Sequence, residues 1–239
     1  MSTGEPLQAQ PARISIIVPV LDEERRIGFR LEELARTPGL HEIIVVDGGS
    51  SDRTVELARA PPGVRILSGP RGRASQMNGG ARAATGDVLL FLHSDVSLPR
   101  DAAQWIRKVL SDPKAVAGAF RTWTVPDAQP SWLAPLLHLA DLRSRYTRLP
   151  YGDQALFVRR DAFWAMGGFP AQPLMEDLEL SRRLSKLGRI EIVPSNVRVS
   201  GRRFLARPLW YTFLVNVLPL LYRLGVSPQR LASLYGDPR

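Results

Sequence analysis

Acidic side chains recur at the ends of apolar runs in this chain, and their positions set the chemistry it can do. Ile14-Ser15-Ile16-Ile17-Val18-Pro19-Val20 runs into Asp22-Glu23-Glu24. Glu42-Ile43-Ile44-Val45-Val46 runs into Asp47, and Val88-Leu89-Leu90-Phe91-Leu92 into His93-Ser94-Asp95. Short apolar runs bounded by polar turns read as buried strands. Open α/β sheets bind ligands outside the carboxyl ends of their strands. Acids gathered at that edge repel one another unless a cation or polar ligand sits among them. The pattern therefore points to a site for a nucleotide diphosphate and a divalent metal.

Elements of alternating type must hold these residues. Apolar spacing at Ile27, Leu31, Leu34 and Ala35 predicts a helix over 23–35. Asp52 is placed to cap a helix over 53–60. A strand over 64–67, a helix over 74–84, a helix over 99–110 and a strand over 115–123 follow. Strands alternating with helices imply parallel crossovers in a doubly wound sheet. The second half is less regular, with helices expected over 132–145, 161–166 and 176–187 and strands over 155–158, 190–193 and 197–199.

Composition narrows the partners. The 239 residues suit one domain with a C-terminal appendage. The absence of Cys removes disulfides, thiolate metal sites and a Cys nucleophile. The net charge of +9 is carried almost wholly by scattered arginines, without a compact basic run, so no nucleic-acid partner is expected. Residues 1–12 are polar, read as a flexible terminus, and lack an apolar h-region, which makes a cytoplasmic location the default expectation. Residues 209–222 form the most apolar stretch, interrupted by Thr212, Asn216 and Pro219 and short of the ~20 residues needed to span a bilayer. A core helix, a homodimer surface and an in-plane membrane helix flanked by Arg202, Arg203, Arg207 and Arg223 all remain open, packing being favoured over peripheral membrane contact.

Read together, Ile16 to Glu23, Ile44 to Asp52, Asn78-Gly79-Gly80, Phe91 to Asp95, Tyr151-Gly152-Asp153-Gln154 and Met175-Glu176-Asp177 resemble the family-two glycosyltransferases of the GT-A fold. The nearest likeness is to small soluble bacterial members with His-x-Asp and Gly-Asp-Gln motifs. The resemblance implies an α/β, Rossmann-like nucleotide-diphospho-sugar transferase fold with a mainly parallel central sheet flanked by helices. It places the transferase domain over 13–205, with a nucleotide half (13–120), an acceptor half (121–205) and a C-terminal helical appendage (206–239). The implied activity is metal-assisted, inverting transfer of a sugar from a nucleoside-diphosphate sugar, a UDP-sugar ahead of a GDP-sugar, to an unknown acceptor hydroxyl. The rivals are a nucleotidyltransferase, for which residues 21–26 lack the Gly-rich loop with Lys, and a non-catalytic nucleotide-sugar binder, which would not need a base.

Roles carried by the resemblance agree with the chemistry of the side chains. Pro19, Asp22 and Glu23 would hold ribose and base, and Asp47 would accept a hydrogen bond from the base. Glu23 also reads as a helix-dipole acid, and Asp47, as the less favoured alternative, as an Asx turn before Gly48-Gly49. Gly72-Arg73 before a helix suits an anion, and Ser94 would join the nucleotide contacts. His93 and Asp95, two apart in an extended segment, could converge on Mn²⁺ or Mg²⁺, with the imidazole tolerating Mn²⁺ better. Asp177 matches the position of the base, with Glu176 orienting the acceptor or the base; two first-turn acids complementing a helix dipole would look the same. Asp153 and Gln154 offer polar groups to a sugar or acceptor hydroxyl, or serve only a turn, and Arg203 resembles an arginine that steadies a leaving diphosphate.

Overall fold

A computed structural model describes residues 11–126, 138, 141, 144, 149–201 and 208–236. The first half follows the expected alternation. Strand β1 (Ile14–Val20) leads to α1 (Ile27–Ala35), β2 (Glu42–Asp47), α2 (Thr54–Arg59), β3 (Val64–Ser68), α3 (Arg73–Ala83) and β4 (Val88–Phe91). The chain continues through the short β5 (Val96–Ser97), α4 (Ala102–Leu110) and the long β6 (Ala115–Val125). After a single 3-10 turn (Gly152–Gln154) come β7 (Phe157–Arg159), α5 (Arg160–Ala165), α6 (Glu176–Leu187), β8 (Arg189–Ser200), α7 (Pro208–Arg223) and α8 (Pro228–Tyr235).

One eight-stranded sheet orders these strands β3-β2-β1-β4-β7-β6-β8-β5. All seven residues of β1 are buried, as a strand covered on both faces requires. Its alternate residues serve two cores. Ile14, Ile16, Val18 and Val20 pack with Ile27, Leu31 and Ile106 of α1 and α4, whereas Ile17 packs with Met77, Ala81 and Leu180 of α3 and α6. Close approach of α3 depends on Gly80, where a Cβ would lie 2.4 Å from Ile17 Cγ2.

Register brings the acid-bearing ends together. Val20 pairs with Asp47 across β1 and β2, and Ile17 with Phe91 across β1 and β4, so three strands end at one edge. Strands β1 to β4 pair in parallel. Strand β7 runs antiparallel to both β4 and β6, while β6 and β8 pair in parallel, giving a mixed sheet. The two short strands expected near residues 190–199 are one strand: Phe120 faces Val193 and Arg121 faces Asn196, so Pro194 and Ser195 form a bulge rather than a break. Of the helix expected over 132–145, His138, Asp141 and Ser144 are described and all three are helical. The two-residue strand β5 was not legible in the sequence, while α7 and α8 fall within the helical appendage expected over 206–239.

Candidate active site

The loops after β1 and β2 are fastened by their own acids. Asp22, in the left-handed region at φ 52°, accepts hydrogen bonds from Ser51 N at 2.8 Å and Ser51 Oγ at 3.2 Å, and its N–H donates to Ser50 Oγ. Asp47 is buried and accepts from Gly49 N at 3.0 Å, from Ser50 N at 3.1 Å and from Ser50 Oγ. The Asx turn is thus the arrangement found. Asp52 accepts from Thr54 N and Glu24 N, tying the start of α2 to the loop after β1. The N-cap of α2 is Arg53, so Asp52 lies one residue before the cap position. Glu23 lies ahead of α1 and outside its first turn, so it is not a helix-dipole acid; its N–H donates to Thr54 Oγ1 at 2.7 Å. Pro19, Glu23, Arg73, His93, Ser94 and Asp95 line one cleft at this edge.

The segment after β4 is a turn, not extended chain: Val96 N donates to His93 O at 3.1 Å. The turn still presents both His93 and Asp95 to a common cavity. It is held from behind by Arg30, which donates from Nε to Ser94 O at 3.1 Å and from Nη1 to Ser97 Oγ and Glu33. Burial lowers the pKa of Arg30, opposed by Glu33 and Asp95. Arg30 was missed in the sequence, although it sits at the i+3 position of the apolar stripe Ile27, Leu31, Leu34, where a charge needs a reason. Gln76 was missed likewise. Its buried Nε2 donates to Val20 O and Val46 O, both at 2.8 Å, tying the ends of β1 and β2 to α3.

Across the cleft, α6 delivers the Glu176-Asp177 pair. Arg73, the first residue of α3, meets Glu176 with Nε 3.0 Å from Oε1, and it borders three adjoining hollows. Glu176 is only 2% exposed, and its Oε2 is buried without a hydrogen-bond partner. Burial pushes its carboxyl up to about 7 against the pull of Arg73, with Asp177 adding to the rise. Burial works against the charge of Arg73, but Glu176 and then Asp177 outweigh it and raise the arginine's pKa. Asp177 Oδ2 accepts from Gly152 N, and Oδ1 from Leu178 N at 2.7 Å. A Cβ on Gly152 would lie 3.0 Å from His93 Nε2 and 3.1 Å from Asp177 Oδ2, so imidazole and carboxylate flank one backbone position.

Strain marks the same surroundings. Asp22, Ala155 and Met175 are the non-glycine residues with positive φ among the described residues, and Met175 lines the cavity that holds Asp177. Such conformations cost of order 1–3 kcal/mol and persist where surrounding structure fixes them. Gln154 is committed to the fold: Oε1 accepts from Tyr151 N and Nε2 donates to Phe120 O, both at 3.0 Å. Asp153, by contrast, lines the cavity with Asp95 and Asp177. Arg203 lies outside the described residues. The C-terminal helices complete this cavity, since Tyr211, Val215 and Leu218 of α7 and Tyr235 of α8 form one wall. They pack on the body through Leu214, Leu218 and Leu231, clustered with Tyr151, Leu174, Met175 and Leu178.

Among the described residues no group of three His, Cys, Asp or Glu side chains is placed to hold a metal unaided. His93 and Asp95 supply one imidazole and one carboxylate to a shared cavity. That donor set suits a cation whose remaining ligands are diphosphate oxygens.

Solved structures share this architecture. A mannosyltransferase from Pyrobaculum calidifontis, in complex with GDP-Man and Mn²⁺, matches with a TM-score of 0.65 at 21% identity, over 95% of this chain and 68% of that one. Glucosyl-3-phosphoglycerate synthase from Mycobacterium tuberculosis, in complex with Mn²⁺, UDP and phosphoglyceric acid, matches with a TM-score of 0.61 at 21% identity, over 90% and 79%. The fold is that of the GT-A glycosyltransferases. In sequence, residues 15–167 match Glycosyl transferase family 2, and the chain belongs to that family. A PGL/p-HBAD biosynthesis glycosyltransferase of Mycobacterium bovis is 41% identical over 177 residues, which is 65% of this chain and 62% of the relative. Beta-monoglucosyldiacylglycerol synthase of Synechocystis is 24% identical over 208 residues, or 76% and 42%. The chain therefore spans less than two thirds of the length of these curated relatives.

Proposed function

We propose that this chain transfers a sugar from a nucleoside-diphosphate sugar to an acceptor hydroxyl with inversion. The observation that carries this reading is that Asp95, Arg73 and Asp177 border one cavity at the carboxyl edge of the sheet. Donor and acceptor chemistry would meet there. The cleft lined by Pro19, Glu23 and Ser94 would take the nucleoside, a UDP-sugar ahead of a GDP-sugar. His93 and Asp95 would hold Mn²⁺ or Mg²⁺, which when bound neutralises charge on the diphosphate. Arg73, at the N-terminus of α3, would face the leaving diphosphate, with charge and helix dipole acting together. Asp177 would take the proton of the acceptor hydroxyl as its oxygen forms a bond to the anomeric carbon and the bond to the diphosphate breaks. Glu176 would orient Arg73 through their contact, and Asp153 would serve the acceptor side.

Asp47 and Asp22 act in this reading by fixing loop shape, with any contact to base or ribose made by lone pairs the turns leave over. Peripheral membrane contact or a homodimer through α7 belongs to the proposal rather than to the fold. Among the described residues no helix is long and apolar enough to cross a membrane.

A panel of nucleoside-diphosphate sugars, incubated with Mn²⁺ or Mg²⁺ and assayed for nucleoside diphosphate release, tests the reading. Divalent-dependent release from one donor is expected. Absence of both release and nucleoside-diphosphate binding across UDP and GDP donors would overturn it.

A further inference from the structure

Much of the lining of the cavity that holds Asp177 is apolar. Tyr211, Val215 and Leu218 fall at spacings of four and three along α7 and form one stripe, and all three border the cavity that holds Asp177. Leu174, Met175 and Val199 extend that surface from the other side. Leu218 belongs to the cluster that seats α7 on the body and Tyr211 packs against it, while Tyr211 and Val215 both stay partly exposed. Acid and apolar wall therefore share one hollow of about 150 Å³.

A fully polar acceptor would match this wall badly. Each hydroxyl laid against Leu, Val or Met loses its water without gaining a partner, a cost of roughly 1–3 kcal/mol per group on mutational scales. An alkyl or aromatic body gains instead about 0.8 kcal/mol per buried CH₂. The outer side of the same two helices is apolar as well. Trp210, Phe213, Leu220 and Leu234, with Leu224 just past α7, account for five of the nine exposed large hydrophobic residues among the described residues, with Arg223 and Arg230 exposed beside them.

We infer that the acceptor is an amphiphile whose hydroxyl reaches Asp177 while its alkyl or aromatic body lies along the Tyr211–Val215–Leu218 stripe. This deepens the transferase reading and rests on it. It assigns the C-terminal helices the choice of acceptor and leaves the choice of donor to the edge of the sheet. Such an acceptor arrives either as a free monomer or from a bilayer, and the two sources share the chemistry recognised.

Octyl β-D-glucoside and methyl β-D-glucoside share a head group and differ only in the apolar body, so they isolate the claim. Calorimetry with octyl glucoside held below its micelle concentration should give binding at least about tenfold tighter than methyl glucoside. Val215→Asp and Val215→Phe, the one adding charge and the other filling the stripe, should both erase that difference. UDP and GDP binding with Mn²⁺ is measured in parallel on every protein. Binding of the same nucleoside diphosphate, UDP or GDP, in both variants shows that they are folded, and absence of both UDP and GDP binding from the unaltered chain counts against the transferase reading and not against the acceptor class. Co-sedimentation with phosphatidylcholine vesicles carrying octyl glucoside assigns the bilayer as source, and monomer binding without co-sedimentation assigns the free amphiphile. Equal affinity for the two glucosides, or an octyl preference untouched by both Val215 variants, would overturn the inference.

Discussion

Along the edge formed by β1, β2 and β4, acidic side chains are tied to nearby chain: Asp47 to Gly49 and Ser50, Asp22 to Ser51, Asp52 to Thr54 and Glu24. Across the cleft, the wall built by the 3-10 turn, α6, α7 and α8 holds a buried carboxyl oxygen with no partner, a strained Met175 and an apolar stripe. The first region has its shape set by local hydrogen bonds before any ligand arrives. The second is assembled from segments far apart in sequence. A nucleotide needs a rigid cradle with few variations, whereas an acceptor site differs from one transferase to another. On the proposed reading, donor chemistry is carried by motifs and acceptor chemistry by tertiary packing.

Disrupting the edge of the sheet should have the largest consequence. Asp95→Ala removes the carboxylate facing the proposed diphosphate, and turnover should fall by about a hundred- to a thousandfold, the usual cost of losing one preorganised electrostatic contact. Calorimetry with and without EDTA should also show that the variant no longer gains nucleoside-diphosphate affinity from Mn²⁺. Equal affinities with and without chelator in the unaltered chain would remove the metal from the account.

Gly152→Ala probes the seam between the regions. Its Cβ would stand 3.0 Å from the His93 ring and 3.1 Å from Asp177 Oδ2, which forces a small displacement of one or both. Misplacement on that scale costs up to about a hundredfold in kcat. UDP affinity measured without metal should change less, because most of the residues lining the nucleoside cleft belong to the loops after β1 and β4 rather than to the turn at Gly152. A kcat left intact would mean that the two side chains need not keep this spacing.

Glu176→Gln tests the buried pair through pH. The fold raises the Glu176 carboxyl from its ordinary value to about 7. Its contribution to stability is therefore complete below the unfolded pKa and is lost as pH rises through about 7. Thermal unfolding at several pH values should show wild type losing ground relative to Glu176→Gln as pH rises from about 4.5 to about 7, by on the order of 3 kcal/mol at most, with no further change above that. A difference independent of pH would mean that Glu176 stays ionised against Arg73 throughout. The smallest effect is expected from His93→Asp, which should keep activity and move the preference from Mn²⁺ toward Mg²⁺. An unchanged metal ranking would leave His93 a purely structural role.

The fold and the edge of the sheet were largely legible because strand periodicity and loop acids are local signals. Helix α6 appeared at its predicted bounds, 176–187, and β1 to β4 within a residue or so. The antiparallel return of β7 was not legible, since its three residues carry no mark of direction. The continuity of β8 was hidden by a Pro that ordinarily ends a strand but here occupies a bulge. Arg30 and Gln76 escaped notice because both sit inside helices, and their partners are backbone carbonyls and hydroxyls that only the fold supplies. The aromatic residues of α7 and α8 read as packing. Their second role, as a wall of the cavity, depends on where the helices dock.

The central claim is that Asp177 performs the proton transfer while the strand edge binds the donor, and Asp177→Asn separates the two. The variant keeps the shape of the side chain and loses its capacity to accept the proton. Measured with an acceptor on which the unaltered chain turns over, kcat should fall by about a hundred- to a ten-thousandfold while UDP affinity with Mn²⁺ stays within about twofold. Glu176→Gln should do less harm in the same assay. Near-full turnover by Asp177→Asn, with Glu176→Gln inactive, would move the base to Glu176 and contradict the account.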